Sequence, residues 1–288
     1  MAEFIFHDST PKRVDIYIQE LNLNLSRSYL SKQIEFGLIK VNNKISKPSL
    51  KLREMDKITI DDTLLEPHLL NKIELPIIYE DNFCIVINKP SGIITHAKGR
   101  VDNEASVASF IRDKIDPNLT GNRAGIVHRL DRGTSGIIIC AKNEYAQKYL
   151  QRQFAKRMVE KQYIALVTGK MEEQQANILF PIERNPKKPS RFRVGINGKT
   201  AQTYYDVIKS NESYSLLLLT PKTGRTHQLR VHLKAINHPI VGDLFYDGKP
   251  YKRLMLHASF LSVILPDIGR IEFNAPLDEE FNSLLPID

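Results

Sequence analysis

The 288-residue chain has only two cysteines, and none of its apolar runs approaches the roughly 18 residues that a membrane-spanning helix needs. Cys84 in NFCIVINK and Cys140 in GIIICAKN both sit in strand-like apolar stretches. Two buried thiols in a chain this long exclude a disulfide framework and point to a reducing, cytoplasmic setting. The opening MAEFIFHDSTPKR lacks a cationic segment followed by an apolar core, so no secretory leader is expected. No G-x-x-x-x-G-K-[ST] loop occurs, which argues against nucleotide hydrolysis. In GTSG, Ser135 stands one position away from the G-x-S-x-G elbow. Eight histidines are present without an H-E-x-x-H pattern, and His227 and His232 diverge on a helix, so no metal site is expected.

Positive charge is what the chain has in excess. A net charge of +8 makes a polyanion the expected partner. Residues 13–60 read as one small unit. Val14, Ile18 and Leu21 have helical spacing, and a second helix carries Tyr29, Leu30, Gln33 and Ile34. Ser26 or Ser28 is the candidate N-cap of that second helix and Gly37 its C-cap. LIKVNNKIS reads as a hairpin turning at Asn42-Asn43, and DKITI as a closing strand. Basic residues, Arg13, Arg27 and Lys47 among them, are spread along this unit as a solvated surface or as phosphate contacts. Residues 61–76 contain two prolines and little periodicity, which suits a linker.

Beyond it, runs rich in Ile, Val and Tyr recur at 83–88, 137–141, 163–167, 201–208, 214–220 and 270–273. Helical patterns cover 144–154 and 225–237. Strands and helices do not alternate regularly, so the expectation is an α+β protein. It would have a mainly antiparallel mixed sheet with flanking helices, not a doubly wound parallel one.

Three clusters could carry chemistry. HRLDRGTSGIIIC places Asp131 between Arg129 and Arg132, ahead of a turn whose Gly133 and Gly136 would let backbone approach a ligand. Nearby donors would keep Asp131 a carboxylate. KQYIALVTG puts Tyr163 on a strand. TPKTGRTHQLRVHL delivers Arg225 at a helix start, where a cation opposes the helix dipole. Each also reads as ordinary structure: a surface ion pair, a packed tyrosine, a structural arginine.

Two resemblances weigh these readings. Arg13-Val-Asp15, Ser26-Arg27-Ser28, Ile34 with Gly37, IKVNN, Lys47-Pro48-Ser49 and DKITI together resemble an S4 RNA-binding domain. NKPSGIITHA, HRLDRGTSGIIICAKN, KQYIALVTG, KTAQTYYDV, TGRTHQLRVHL, HPIVGD and LHASFL, in that order, resemble the catalytic domain of RluA-type pseudouridine synthases. Two departures are Leu265, where members often carry histidine, and Tyr246-Asp247, where Tyr-Gly is usual.

The resemblance implies an S4-like domain over 12–70 and a catalytic domain over 77–288. It makes Asp131 the catalytic aspartate, Tyr163 the active-site tyrosine and Arg225 the arginine that pairs with Asp131. His128, Arg129 and Arg132, with Arg13, Arg27 and Lys47 of the small domain, become substrate-binding candidates. The implied substrate is ribosomal RNA of the large subunit, with transfer RNA as the other candidate. No cofactor is required because the isomerisation involves no redox step, and a monomer is expected. The rival is a non-catalytic RNA-binding assembly factor on the same scaffold. A uracil-releasing hydrolase would want a second carboxylate, and none stands near Asp131 in the sequence.

Overall fold

The computed structural model describes residues 2–21, 27–61, 73–96, 105–121 and 123–284, without the side chains of residues 28, 29 and 282. The proposed N-caps Ser26 and Ser28, the side chain of Tyr29, the end of the 12–70 domain and most of the 61–76 linker lie outside that description. The chain divides into two compact units. One comprises Met1–Glu74, His96–Arg112 and Thr120–Ala124, and the other Leu75–Thr95, Asp113–Leu119 and Gly125–Asp288.

In the first unit, strand β1 (Ala2–Ile5) is followed by β2 (Lys12–Arg13), helices α1 (Val14–Glu20) and α2 (Arg27–Glu35), and strands β3 (Ile39–Val41), β4 (Lys51–Leu52) and β5 (Lys57–Ile60). β5 is the centre of an antiparallel sheet with β1 and β3 on its flanks. The apolar stripes of the helices, Val14, Ile18, Leu30 and Ile34, bury against Ile39, Ile58 and Ile60. Such burial is the main source of stability for helices this short. Gly37 ends α2 at φ 77°, and Asn42 and Asn43 turn the β3 hairpin at φ 48° and 64°, as the residue types require. β1 lies ahead of the span read from the sequence. It is an edge strand of four residues, too short to show a period. The short helix α3 (Val107–Ile111), capped reciprocally by Ser106 and Ser109, belongs to this unit.

The second unit is built on a nine-stranded sheet. Its strands are β6 (Ile77–Glu80), β7 (Cys84–Lys89), β8 (Ser135–Ala141), β9 (Glu160–Thr168), β10 (Gln175–Ile178), β13 (Thr203–Ser210), β14 (Tyr214–Pro221), β15 (Leu256–Leu265) and β16 (Gly269–Asn274). The order is β10-β13-β14-β9-β15-β8-β7-β6, with β16 on β15. Only β8 and β15 run parallel, joined through His257 opposite Ser135 and Ala258 opposite Gly136. The sheet is thus mixed and mostly antiparallel, as the irregular strand and helix pattern implied.

A separate hairpin, β11 (Ile182–Arg184) with β12 (Phe192–Val194), stands off the sheet. Helix α4 (Glu144–Ala155) buries Ala146, Leu150 and Gln153, and helix α5 (Gln228–Ala235) buries Leu229 and Leu233. Tyr145 of α4 is exposed. The position facing inward is Gln153, whose amide brackets the Ile264 backbone at 2.7 and 2.9 Å. Helix α6 (Glu280–Leu284) closes the chain and buries Phe281.

Candidate active site

Asp131 sits on the turn that feeds β8, and the segment after β7 holds that turn. Thr95 Oγ1 accepts from the Leu130 amide at 3.1 Å and donates to its carbonyl at 2.9 Å. Ser91 Oγ donates to the Gly133 carbonyl at 2.7 Å, and the Gly92 amide to the Arg132 carbonyl at 2.8 Å. Lys89, fully buried, reaches the carbonyls of Pro90, Ile93 and Arg132 at 2.9, 2.8 and 3.4 Å. Burial pushes its pKa down to about 7, against the pull of the Asp131 charge. Three carbonyl acceptors nonetheless match the three N–H groups of the ammonium form. The NKPSGIITH stretch is therefore a cradle for the Asp131 backbone.

The glycines serve packing. A Cβ on Gly136, at φ 105°, would lie 2.2 Å from the Ala258 carbonyl oxygen, so this glycine lets β8 and β15 approach. Gly133 packs on Leu254, where an added Cβ would meet that residue's Cβ at 3.1 Å. Neither is opened toward a ligand, contrary to the sequence reading.

The arginine beside Asp131 is Arg230. Its Nε and Nη2 fork onto Asp243 at 2.7 and 2.8 Å, and its Nη1 donates to Asp131 Oδ2 at 3.2 Å. Asp243 is buried on the loop where Gly242, at φ 81°, passes so close to Arg253 that any side chain would collide. A bidentate fork of this kind fixes the guanidinium plane as well as its charge. The expected pairing of Arg225 with Asp131 is corrected: Arg225 Nε donates to the Thr200 carbonyl at 3.0 Å. The reason is local. Helix α5 begins at Gln228, three residues later than the pattern suggested, and Arg225 lies in the preceding turn. Gln228 pins that turn, accepting from the Arg225 amide at 3.0 Å and from Thr223 at 2.7 Å while donating to Gln202 and Thr203.

Around Asp131 opens a cleft of about 450 Å³, lined among others by Arg129, Lys161, Tyr163, Arg225 and His227. Lys161 and Tyr163 are two apart on β9 and so share a face. Burial, with the Asp131 charge second, pushes the Tyr163 phenol well above its ordinary pKa, so it stays protonated. Burial lowers the pKa of Lys161.

His128 lines the cleft but is a neutral packing group. It stacks on Phe154 at 4.5 Å, its Nε2 accepts the Ile139 amide at 3.0 Å, and burial drives its pKa down to about 3. It cannot grip a phosphate as a cation, which corrects its assignment. Arg129 is exposed at the cleft. Arg132 is outside it and reaches back to the Gly92 carbonyl at 3.5 Å. In the first unit, Arg13 and Arg27 both bond the buried Asp15, at 3.0 and 2.7 Å, while Lys47 is exposed.

Sequence reasoning missed Arg230, Lys89, Gln228 and Lys161, and it weighed His227 only as a metal ligand. One signal was available: Lys89 is the lone charge in CIVINK, an otherwise strand-like apolar run.

The cleft thus brings together one carboxylate, an arginine anchored on it and a protonated tyrosine. The mixed sheet that carries it is accompanied by a small basic unit of helices and hairpin. The sequence profile of RNA pseudouridylate synthases matches residues 83–235, and that of the S4 domain residues 12–58. The chain is 34% identical to ribosomal large subunit pseudouridine synthase C of Buchnera aphidicola, over 98% of this chain and 95% of that one. It is 38% identical to ribosomal large subunit pseudouridine synthase D of Borreliella burgdorferi, over 93% and 86% of the two chains. The solved structure of human RNA pseudouridylate synthase domain containing 1 superposes with a TM-score of 0.60 at 32% identity, covering 73% of this chain and 86% of that one. This protein belongs to the RNA pseudouridine synthase family and carries an N-terminal S4 domain. It is an enzyme that isomerises uridine to pseudouridine in RNA.

Proposed function

We propose that the substrate is large-subunit ribosomal RNA and that Asp131 carries the reaction, assisted by Arg230 and Tyr163. The observation behind the assignment is which oxygen of Asp131 is held. Arg230 Nη1 and His227 Nε2 both approach Oδ2, at 3.2 and 3.7 Å, and Oδ1 is the oxygen assigned to the substrate. In the isomerisation the N1–C1′ bond breaks, the uracil turns, and C5 bonds to C1′. The C5 proton leaves and N1 gains one, so the balance needs no oxidant or reductant. Oδ1 serves as nucleophile toward C1′ or as base toward the ribose, while the guanidinium keeps the carboxylate oriented and charged. Tyr163, held protonated, stacks on the detached ring. Lys161 supplies positive charge facing the same ring as electron density collects on it.

The target must leave its stack to enter such a cleft, and Arg129 at the mouth is placed to grip a flanking phosphate. The names of the full-length relatives support ribosomal RNA over transfer RNA. A cytoplasmic setting and a monomer belong to the same proposal, the first supported by two free buried thiols. Mapping pseudouridines in ribosomal and transfer RNA with and without the gene tests the substrate. Loss of a site from large-subunit RNA is expected, and loss confined to transfer RNA would overturn it.

A further inference from the structure

The Tyr246-Asp247 step, one of the two departures noted in the sequence, leads to the back of the cleft. The Tyr246 ring is buried, and its hydroxyl oxygen accepts the Phe192 amide of strand β12 at 3.0 Å. That oxygen lies 2.7 Å from His227 Nδ1. His227, held left-handed at φ 57° just before α5, turns Nε2 toward Asp131 Oδ2. A continuous path of polar groups thus runs from the β11–β12 hairpin to the carboxylate.

The protons on this path can be placed. With its oxygen accepting from the Phe192 amide, the Tyr246 hydroxyl has His227 Nδ1 as an acceptor at hydrogen-bond distance, provided Nδ1 is bare. If Nδ1 carried the proton, the hydroxyl hydrogen would have no acceptor among the described residues, and a bare Nε2 lone pair would face the Asp131 carboxylate. Protonating both nitrogens is opposed by burial, which lowers the His227 pKa, and by Arg230 and Arg129, although Asp131 and Asp243 pull the other way. The neutral Nε2–H imidazole gives the hydroxyl its acceptor and turns an N–H, not a lone pair, toward the carboxylate.

We propose that Tyr246 is a positioning residue for the reaction: its hydroxyl, aimed by the Phe192 amide, holds His227 as the Nε2–H tautomer facing Asp131. The imidazole then joins Arg230 on Oδ2 and keeps Oδ1 turned to substrate. Asp247 anchors the same loop through its ion pair with Lys234 at 3.0 Å, which gives that departure a structural use. The hairpin that aims the hydroxyl is itself basic, with Arg184 stacked over Phe192 at 4.9 Å and Arg191 over Phe245 at 5.1 Å. The inference rests on the catalytic reading of Asp131.

The test is imidazole ¹⁵N spectroscopy on histidine-labelled full-length protein, with His227 assigned by its loss in His227→Gln. The wild type should show the neutral Nε2–H pattern at pH 7. Tyr246→Phe keeps the ring, over which the Arg230 guanidinium lies at 5.0 Å, but removes the hydroxyl. It should shift His227 to a mixture of tautomers and lower kcat about tenfold with KM within about twofold, the scale of one net hydrogen bond. A wild-type Nδ1–H pattern overturns the inference even if Tyr246→Phe cannot be purified. So does a Tyr246→Phe protein whose tautomer or kcat is unchanged. These outcomes leave the catalytic reading standing, which fails separately if Asp131→Asn turns over.

Discussion

Two aspartate–arginine clusters, one in each unit, use the same groups to opposite ends. In the small unit, the Asp15 side chain is 2% exposed and both its oxygens are taken, by Arg13 and by Arg27. In the catalytic unit, the Asp131 side chain is 20% exposed and, among the described residues, only Oδ2 is held. The arginine that holds it is already fixed by a second, buried carboxylate, Asp243. The contrast shows how a carboxylate is read. One whose partners close around it ties helix α1 to helix α2, whereas one approached on a single oxygen by pre-anchored groups is oriented with its other oxygen to spare. Charge, residue type and even neighbouring arginines are alike in the two cases. What differs is where the arginine's other N–H groups go.

The sharpest way to break the comparison is to neutralise both aspartates. Asp131→Asn should abolish turnover, with unfolding and RNA affinity close to wild type. Asp15→Asn should leave the single-turnover rate at saturating RNA unchanged. Pseudouridine release measured on the two variants decides it, and appreciable turnover by Asp131→Asn would refute the catalytic assignment.

Next in size is the choice between arginines. Arg230→Lys keeps a charge but loses the fork that engages Asp243 and Asp131 together, so the carboxylate loses its orientation. A misplacement of that kind costs on the order of 100-fold in rate. Arg225→Lys, which loses only a bond to the Thr200 carbonyl, should cost less than about tenfold. Single-turnover kinetics on both variants would expose an error if the order were reversed.

That order could not be read from TGRTHQLRVHL, where two arginines lie five apart with nothing in the spacing to separate them. A shift of three residues in the start of α5 decides which one faces Asp131. The acceptor that fixes Arg230, Asp243, lies outside that stretch, 13 residues further along the chain. Positions carried by motif identity, Asp131 and Tyr163, did come together in one cleft, and most strands showed as runs of β-branched residues. β15 was missed because LHASFLSVIL lies at the sheet centre, where burial on both faces erases a two-residue period. His128 looked like a phosphate contact because sequence shows a titratable ring and not the Ile139 amide that occupies it.

A smaller effect separates the clusters by pH. Burial by itself would raise the Asp15 pKa, but the bonds from Arg13 and Arg27 prevail and hold it below the ordinary value. A depressed carboxylate stabilises the fold fully above its unfolded pKa of about 3.9, and the contribution is lost as pH falls through the lower folded value. Both arginines are substantially exposed, so screening limits the worth of the cluster to about 1–2 kcal/mol. Protection of α1 and β4 amides, corrected for the intrinsic exchange rate at each pH, should fall in acid in the wild type, and Asp15→Asn should be less protected at neutral pH with a flatter acid dependence. An unchanged acid profile in Asp15→Asn would mean that the cluster contributes nothing.

The smallest expected effect concerns which cations of the small unit meet RNA. Arg13 and Arg27 are committed to Asp15, whereas Lys47 is exposed. A cation that neutralises a phosphate releases counterions, so its removal lowers the slope of log affinity against log salt by about 0.7–0.9. Lys47→Ala should therefore flatten the salt dependence by about that much and leave stability unchanged. Arg27→Ala should do the reverse, loosening α1 and α2 while the slope stays within error, provided the comparison is made where the variant is folded. Affinity titrations at several salt concentrations, read beside thermal unfolding, distinguish the two. If Arg27→Ala loses slope and keeps its stability, the guanidinium leaves Asp15 to bind phosphate, and the cluster in the small unit is an RNA contact after all.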